Sequence, residues 1–176
     1  ASKKAYQDWK QVNVPGFLVH ARIPEGKAKT LVNCQQHSGY FAVEYDNLSA
    51  VQLQRAKRLM PALRWVAFSD VSLSGKGICV FLNVPQASLA NHAAYYRLAA
   101  AELDELLGLQ HDPSGVSLNR IRFFAYDPHA YFNPSPLPFP LAPPDQVQAQ
   151  IQVQTQVFPQ SDSPSLSSAV IATQKE

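Results

Sequence analysis

The sequence predicts an α+β fold in which helices cover a mixed or antiparallel β-sheet. Its 176 residues suit one main domain with a substantial hydrophobic core. Ahead of Asn133, apolar segments with the character of strands alternate with segments of helical spacing. Behind Asn133, the composition changes to one that is typical of an extended linker. The fold prediction therefore concerns residues 1–133.

The first predicted elements are two strands and a helix. The strands are GFLVHARI at residues 16–23 and YFAVEYD at residues 40–46. The helix follows in NLSAVQLQRAKRLMPAL, with Asn47 or Ser49 as its N-cap. Pro61 lacks a backbone N–H and must end or kink that helix.

A hairpin is predicted next, because RWVAFSD and GICVFLNV flank a turn with the sequence Gly75-Lys76-Gly77. A phosphate-binding P-loop would require Ser or Thr after the lysine and a helix after the loop. Here Gly77 follows Lys76, and a strand follows the turn. The turn by itself indicates a hairpin with a solvated lysine.

A long helix and a last strand complete the domain. The helix LANHAAYYRLAAAELDELLG is rich in Ala and Leu and ends at Gly108. The strand LNRIRFFAYD places Arg120, Arg122 and Phe124 on one face. The order strand, helix, hairpin, helix, strand is typical of ferredoxin-like and RNA-recognition-type (RRM-like) folds.

Residues 134–176 are predicted to be a Pro-, Gln- and Ser-rich linker or tail. Eight of the 14 prolines follow Asn133, and no glycine does. Within this tail, VQAQIQVQTQV alternates apolar residues with Gln, which fits either an edge strand or a disordered β-prone segment. Such a tail leads us to expect that the domain is the front module of a longer protein.

Composition and charge bound the classes of function. Residues 1–133 contain 14 Lys and Arg against 10 Asp and Glu, which permits an anionic partner without requiring one. No apolar run is long enough for a membrane span, and no secretory signal opens the chain. Cys34 and Cys79 are too few for a disulfide framework. We therefore expect a cytoplasmic protein.

Three acidic residues are candidates for metal binding. Glu44 and Asp46 are two apart on a predicted strand, so their carboxylates leave the same face roughly 6 to 7 Å apart along the chain. Like charges so close favour a cation between them, and oxygen ligands suit Mg²⁺ or Mn²⁺. Asp112 comes after the long helix. The alternative is that the pair is solvated before a helix and that Asp112 only forms an Asp-Pro turn.

Four segments together resemble the archaeo-eukaryotic primase superfamily, in particular the primase-like N-terminal domains of VirE-type and primase-helicase proteins of bacterial mobile elements. They are HSGYFAVEYDNLS, FSDVSLSGKGICVFLNV, HAAYYRLAAAELDELLGLQHDPSG and LNRIRFFAYDPHAYFNP. The resemblance implies a sheet-based nucleotidyltransferase that binds a nucleoside triphosphate with Mg²⁺ or Mn²⁺ and adds nucleotides to a strand on a single-stranded DNA or RNA template. It also implies a helicase module C-terminal to this chain.

The resemblance also implies roles for particular residues. Glu44, Asp46 and Asp112 would be the catalytic metal ligands, and the nucleotide would be bound by Ser74, Gly75, Lys76, Arg120 and Arg122. The chain differs from the usual pattern at Glu44, where Asp is common, and at Cys79, where many members have His.

Other functions remain open from the residues alone. One is a non-catalytic module that binds single-stranded nucleic acid on the strand face of Arg120, Arg122, Phe124 and Tyr126. Another is a protein-interaction domain that recruits its partner through the tail.

A zinc site is the remaining alternative. Cys34 and His37 form a Cys-x-x-His pair, with His111, His129 and Cys79 as candidate further ligands. Their spacing matches no standard zinc pattern, which favours core cysteines and surface histidines.

Overall fold

The computed structural model describes residues 2–141. These residues lie in a compact unit, Ala1–Ala142, and a second unit, Pro143–Glu176, lies outside the described residues. The helices are α1 (Lys3–Asn13), α2 (Ala50–Leu59) and α3 (His92–Leu107). The strands are β1 (Gly16–Leu18), β2 (Ala21–Arg22), β3 (Gln36–His37), β4 (Tyr40–Tyr45), β5 (Val66–Val71), β6 (Ile78–Asn83), β7 (Ile121–Phe123) and β8 (Tyr131–Phe132). Short 3-10 helices occupy Leu31–Asn33, Met60–Ala62 and Pro113–Val116.

The main sheet has four strands in the order β4-β6-β5-β8, and all of its pairs are antiparallel. Two further antiparallel pairs, β1-β7 and β2-β3, stand apart from it. The structure thus confirms the coarse prediction of an α+β fold with an antiparallel sheet and a few helices. No helix among residues 2–141 is both long and apolar enough to cross a membrane.

One face of the main sheet is covered by helices. Phe41 of β4 contacts Tyr96 of α3, with ring centroids 5.6 Å apart. Both side chains are fully buried, as is Leu103 further along α3. The helix ends at Gly108, whose φ of 64° is the left-handed conformation that glycine adopts readily. The predicted end of this helix is therefore confirmed.

The opposite face is covered by the β1-β7 ribbon, which packs against an apolar cluster on the sheet. Phe17 of β1 lies against Phe81 of β6, with ring centroids 6.3 Å apart. Buried members of this cluster are Val19, Ala42, Cys79 and Phe81. The ribbon covers the face only in part, and beyond the cluster the sheet carries charged side chains.

Two elements differ from the sequence prediction, and a third confirms it. The strand predicted at residues 16–23 divides into β1 and β2. Val19 and His20 are both buried, so successive side chains do not alternate between buried and exposed there as in a regular strand. The last strand shortens to β7 and pairs with β1 rather than with the main sheet. The helix predicted with Asn47 or Ser49 as its N-cap is confirmed with Ser49, whose side chain accepts from the Gln52 N–H in a capping box.

The compact unit also extends past Asn133, where the composition changes. The Phe139 N–H donates to the Asn83 carbonyl at 2.7 Å. The Phe139 ring is buried and lies 4.6 Å from the Trp65 ring, centroid to centroid. Residues 134–141 therefore pack against the main sheet, and the segment 147–157 that alternates apolar residues with Gln lies outside the described residues.

Candidate functional site

A polar cavity of about 1180 Å³ opens beside the β1-β7 ribbon. Its walls come from α1, the end of β4, the turn after β5, the segment after the last 3-10 helix, and β7. The charged side chains that line it are Lys10, Lys29, Glu44, Asp46, Arg120 and Arg122. Both signs of charge therefore face the same space.

A row of three side chains crosses the main sheet at one wall. Glu44 of β4 and Asp70 of β5 are each paired in register with Cys79 of β6, so the cysteine lies between two acids on one sheet face. Burial raises the pKa of the Cys79 thiol far above its ordinary value, although Arg122 opposes that shift. Cys79 is therefore a neutral thiol in this row.

Two arginines bind these acids from the ribbon side. The Nη2 of Arg120 donates to Glu44 Oε2 at 2.9 Å and to Asp112 Oδ2 at 3.2 Å. The Nη2 of Arg122 donates to Asp70 Oδ1 at 2.7 Å, and its Nη1 lies 3.7 Å from Glu44 Oε1. Glu44 is thus shared by both guanidinium groups.

Asp112 reaches this cluster through backbone contacts. Its N–H donates to the Glu44 carbonyl at 2.7 Å, which fixes the segment after α3 against the end of β4. Its carboxylate accepts from the Ser114 N–H at 2.9 Å and the Ser114 hydroxyl at 2.6 Å. Burial alone would raise the pKa of Asp112, but the Ser114 hydrogen bonds and the Arg120 charge outweigh it and lower the pKa.

Asp46 differs from the other acids because it has no ion-pair partner within residues 2–141. Its pKa is raised, first by partial burial in the cavity wall and then by the negative charges of Glu44 and Asp112. The charged form of Asp46 is therefore the one that a cation or a hydrogen-bond donor in the cavity would stabilise most.

The Gly75-Lys76-Gly77 turn holds the hairpin against the start of α2. The Lys76 carbonyl accepts from the Leu48 N–H at 2.8 Å. Gly75 has a φ of 71°, which glycine adopts without strain. A Cβ on Gly77 would collide with the Tyr45 carbonyl oxygen and would lie 3.1 Å from Asp46 Oδ1. The turn is therefore pressed against the acidic end of β4.

The structure brings most of the expected site residues together. Lining the cavity are Glu44, Asp46, Ser74, Arg120 and Arg122, and Asp112 joins them through Arg120. Gly75 and Lys76 instead line a second, smaller cavity of about 600 Å³ at the start of α2.

Two residues of the site were missed by the sequence analysis. Asp70 could have been found from the hairpin register, since the turn places it across from Cys79. Lys10 carried no local signal, because only the packing of α1 brings it to the cavity.

The histidines and cysteines of the zinc alternative do not converge. The Cys34 thiol contacts the Thr30 carbonyl, whereas His37 bonds His92. In the part of the chain that the structure describes, no group of three or more His, Cys, Asp or Glu side chains is arranged to hold a metal ion.

The donor set at the cavity suits a hard divalent cation all the same. Mg²⁺ is commonly bound by one or two carboxylates, with phosphate and water oxygens completing its shell. Asp46 provides such a carboxylate without an ion pair among residues 2–141, and Glu44 provides a second one that Arg120 binds through one oxygen. Both Asp112 oxygens are engaged by Ser114 and Arg120. The residues present therefore fit a metal that is completed by its ligand, rather than a closed cage of three acids.

Comparison with known proteins gives one match. The family model for the BT4734-like, N-terminal domain matches residues 10–132. No curated protein matches the chain, and no solved structure does. The matched segment begins at Lys10 and ends in β8, so it includes all six charged side chains that line the cavity. Because the match covers well over half of the 176 residues, the chain belongs to the family of BT4734-like N-terminal domains.

Proposed function

We propose that this domain binds a nucleoside triphosphate together with Mg²⁺ or Mn²⁺ and adds nucleotides to a nucleic-acid strand on a single-stranded template. The observation that carries the proposal is the cavity itself, where Asp46 has no ion pair among residues 2–141 and lies near Glu44, which Arg120 binds. Phosphoryl transfer depends on positioning and charge stabilisation, and needs no nucleophilic side chain.

The sheet topology supports the finer fold assignment in this proposal. The elements β4, α2, β5, β6 and α3 follow the first five steps of a ferredoxin-like or RRM-like unit. The order β4-β6-β5 places the third strand of that unit between the first and second, as such folds require. The fourth strand is the exception, since β7 pairs with β1. We infer a primase-polymerase-type sheet whose last strand has moved to a ribbon.

The proposed reaction uses the site residues as follows. The 3'-oxygen of the strand bonds to the α-phosphorus, the bond to the bridging oxygen breaks, pyrophosphate leaves, and the hydroxyl proton passes to water. A divalent ion bound by Asp46 and Glu44 would lower the pKa of the attacking hydroxyl and neutralise phosphate charge. Arg120 would donate to phosphate oxygens, and Ser74 lies at the same cavity wall.

The state of Arg120 and Arg122 supports an exchange of partners when nucleotide binds. Each buries its Nε–H without a hydrogen-bond partner among residues 2–141. A buried network with unsatisfied donors is less stable than a complete one. If Arg120 exchanged Glu44 and Asp112 for phosphate oxygens, both carboxylates would therefore be released at a modest cost in free energy.

The test is nucleotide incorporation on a single-stranded template, with and without a primer, in Mg²⁺ and in Mn²⁺. We expect Asp46→Asn to lose at least about 100-fold in rate, because it removes a charge from the proposed metal site. Asp8→Asn is the matched control, since Asp8 is exposed and its ion pair among the described residues is with Lys4 at 3.2 Å. A folded parent without activity in either metal, or an Asp46→Asn variant equal to Asp8→Asn, would overturn the proposal.

A second function rests on different residues. Phe124 and Tyr126 are 57% and 88% exposed, which suits stacking with single-stranded bases. Arg120 and Arg122 support this alternative less, because carboxylates already bind both. It predicts metal-independent binding of an oligothymidine that weakens in the double variant Phe124→Ser, Tyr126→Ser and persists in Asp46→Asn. Equal affinity of the double variant and the parent would exclude this surface.

The wider setting is also a proposal. We propose that the domain works beside a helicase module in the replication of a mobile element, as the primase resemblance implies. A full-length reading frame that encodes both modules would support it, and one without a helicase module would count against it.

A further inference from the structure

The inner face of α1 forms one wall of the cavity, although no site residue was expected there. From α1 and its C-cap, the cavity is lined by Tyr6, Gln7, Lys10, Gln11 and Val14. Their spacing of one, three and four positions is that of a single helix face. Side chains on this face are mostly polar, so α1 offers groups to a ligand instead of an apolar contact.

The Lys10 ammonium is held in place by aromatic rings. Its Nζ lies 4.6 Å from the centroid of the Phe123 ring and 5.9 Å from that of Tyr6. Cation–π contacts of this kind orient an ammonium without neutralising its charge. Throughout residues 2–141, Lys10 forms no ion pair.

The other cations of the cavity differ from Lys10. Arg120 and Arg122 are each bound by two carboxylates. Lys29 has no ion pair among the described residues either, but its side chain is exposed in a loop. Lys10 is therefore the preorganised cation of the cavity whose charge is not already matched by an acid.

The surroundings of Lys10 affect its charge in both directions. Partial burial lowers the pKa of Lys10, and the nearby Arg120 adds to that effect, with a smaller contribution from Arg122. Glu44 and Asp46 act in the opposite direction. An anionic ligand in the cavity would remove this disadvantage, since it would supply the missing counter-charge.

We propose that Lys10 of α1 binds the phosphate groups of the nucleotide and takes the role that the primase resemblance implies for Lys76. This inference rests on the proposed function, because it assumes a nucleoside triphosphate in the cavity. Charges are then divided across the site: the Asp46 side receives the metal ion, and the Lys10 side receives the phosphate oxygens. A compact ammonium with three donors suits phosphate oxygens.

The test measures binding by calorimetry in Mg²⁺, with ATP, tripolyphosphate and adenosine as probes. We expect Lys10→Met to weaken ATP and tripolyphosphate binding by about 10- to 100-fold, since a charge-assisted hydrogen bond is lost. Adenosine binding should stay unchanged. Met retains the apolar stem against Phe123, and Lys10→Arg should restore most of the affinity because it retains the charge.

Lys4→Met is the matched control on the same helix, because Lys4 is exposed and its ion pair within residues 2–141 is with Asp8. If the parent binds ATP and Lys10→Met equals Lys4→Met, the role of Lys10 is refuted while the proposed function stands. If the folded parent binds neither ATP nor tripolyphosphate, both are refuted. Loss of adenosine affinity in Lys10→Met would show a structural effect and would also refute the phosphate contact.

Discussion

Glu44 is the point at which the two arginine side chains converge. One of its oxygens bonds Arg120 and the other lies near Arg122, while its carbonyl accepts from the Asp112 N–H. Three separate segments are thereby joined at one residue. The two oxygens of the Glu44 side chain thus contact both guanidinium groups.

Arg122 and Asp70 form the most deeply buried ion pair of the site, with 6% and 8% of their surfaces exposed. Removal of one partner from such a pair leaves an uncompensated buried charge. We expect Arg122→Met to lower the free energy of unfolding by about 3–5 kcal/mol, measured by urea denaturation.

The double variant Asp70→Asn, Arg122→Met provides the control for that prediction. It removes both charges, so its loss of stability should be smaller than the sum of the two single losses. The pKa of Asp70 is already raised, chiefly by burial, even with Arg122 in place. A loss below about 1 kcal/mol for Arg122→Met would mean that solvent reaches Asp70.

At the scale of elements, the turn of the β5-β6 hairpin packs closely against the acidic end of β4. Gly77 is buried, and a side chain there would meet the Tyr45 carbonyl oxygen and Ser72 Oγ. We expect Gly77→Ala to destabilise the fold by about 1–3 kcal/mol, as overpacking does. Ser74→Ala, an exposed change in the same turn, should have little effect on the urea midpoint.

A melting temperature of Gly77→Ala equal to that of Ser74→Ala would contradict this account of the turn. The same variant also tests the site, because the added methyl group would lie 3.1 Å from Asp46 Oδ1. We therefore expect Gly77→Ala to reduce Mg²⁺-dependent binding of ATP even at temperatures where it remains folded.

The positions of helices and strands were predicted well from local signals, whereas the pairing of strands that are distant in the sequence was not. Ser49 and Gly108 mark helix ends through contacts within a few residues, so α2 and α3 were placed correctly. The strand character of β1 and β7 was predicted as well, but their pairing with each other was not. Their ribbon joins segments about a hundred positions apart, which no local pattern encodes.

The site shows the same division. The cavity is lined by Glu44, Asp46, Arg120 and Arg122, as expected, because the spacing of each pair on a predicted strand is a local property. Lys76 was expected at the cavity from the primase resemblance, yet Gly75 and Lys76 line the smaller cavity at the start of α2. Lys10 reaches the cavity only through the docking of α1.

On the scale of the whole molecule, a histidine cluster connects elements from all parts of the domain. His37 Nδ1 accepts from the Gly39 N–H at 2.9 Å, so its Nε2–H donates to His92 Nδ1 at 3.0 Å. The His92 Nε2–H then donates to the Val116 carbonyl at 2.8 Å. These hydrogen bonds are satisfied when both rings are neutral.

His20 completes the cluster at the edge of the main sheet. Its Nε2 accepts from the Ala42 N–H at 3.0 Å, and its Nδ1–H donates to the Ser117 carbonyl at 3.0 Å. The ring lies 4.9 Å from that of His92 and 5.7 Å from that of Tyr96, centroid to centroid. A proton added to His20 would place an N–H against the Ala42 N–H.

This cluster predicts a loss of stability in mild acid. Burial, with a smaller effect of His92, lowers the pKa of His20 to about 4 and that of His37 to about 4. The unfolded chain takes up protons near pH 6.5, before the folded protein does. The histidines therefore cost no stability above about pH 6.5. As the pH decreases toward 4 the free energy of unfolding falls, and His20 alone accounts for a loss of about 3 kcal/mol at pH 4.

The direct measurement is an NMR titration of the histidine ring carbons. Carboxylates with a lowered pKa, such as Asp127, begin to cost stability only as the pH falls below their unfolded pKa near 4. Asp46 and Asp70 have raised pKa values and change stability in the opposite direction. The ring-carbon shifts are therefore the readout that belongs to the histidines. His20 and His37 should keep the chemical shifts of neutral imidazole at pH 5.5 while the protein remains folded. Titration of either ring near pH 6.5 in the folded state would show that the cluster is open to water, and the neutral hydrogen-bond chain would then be wrong.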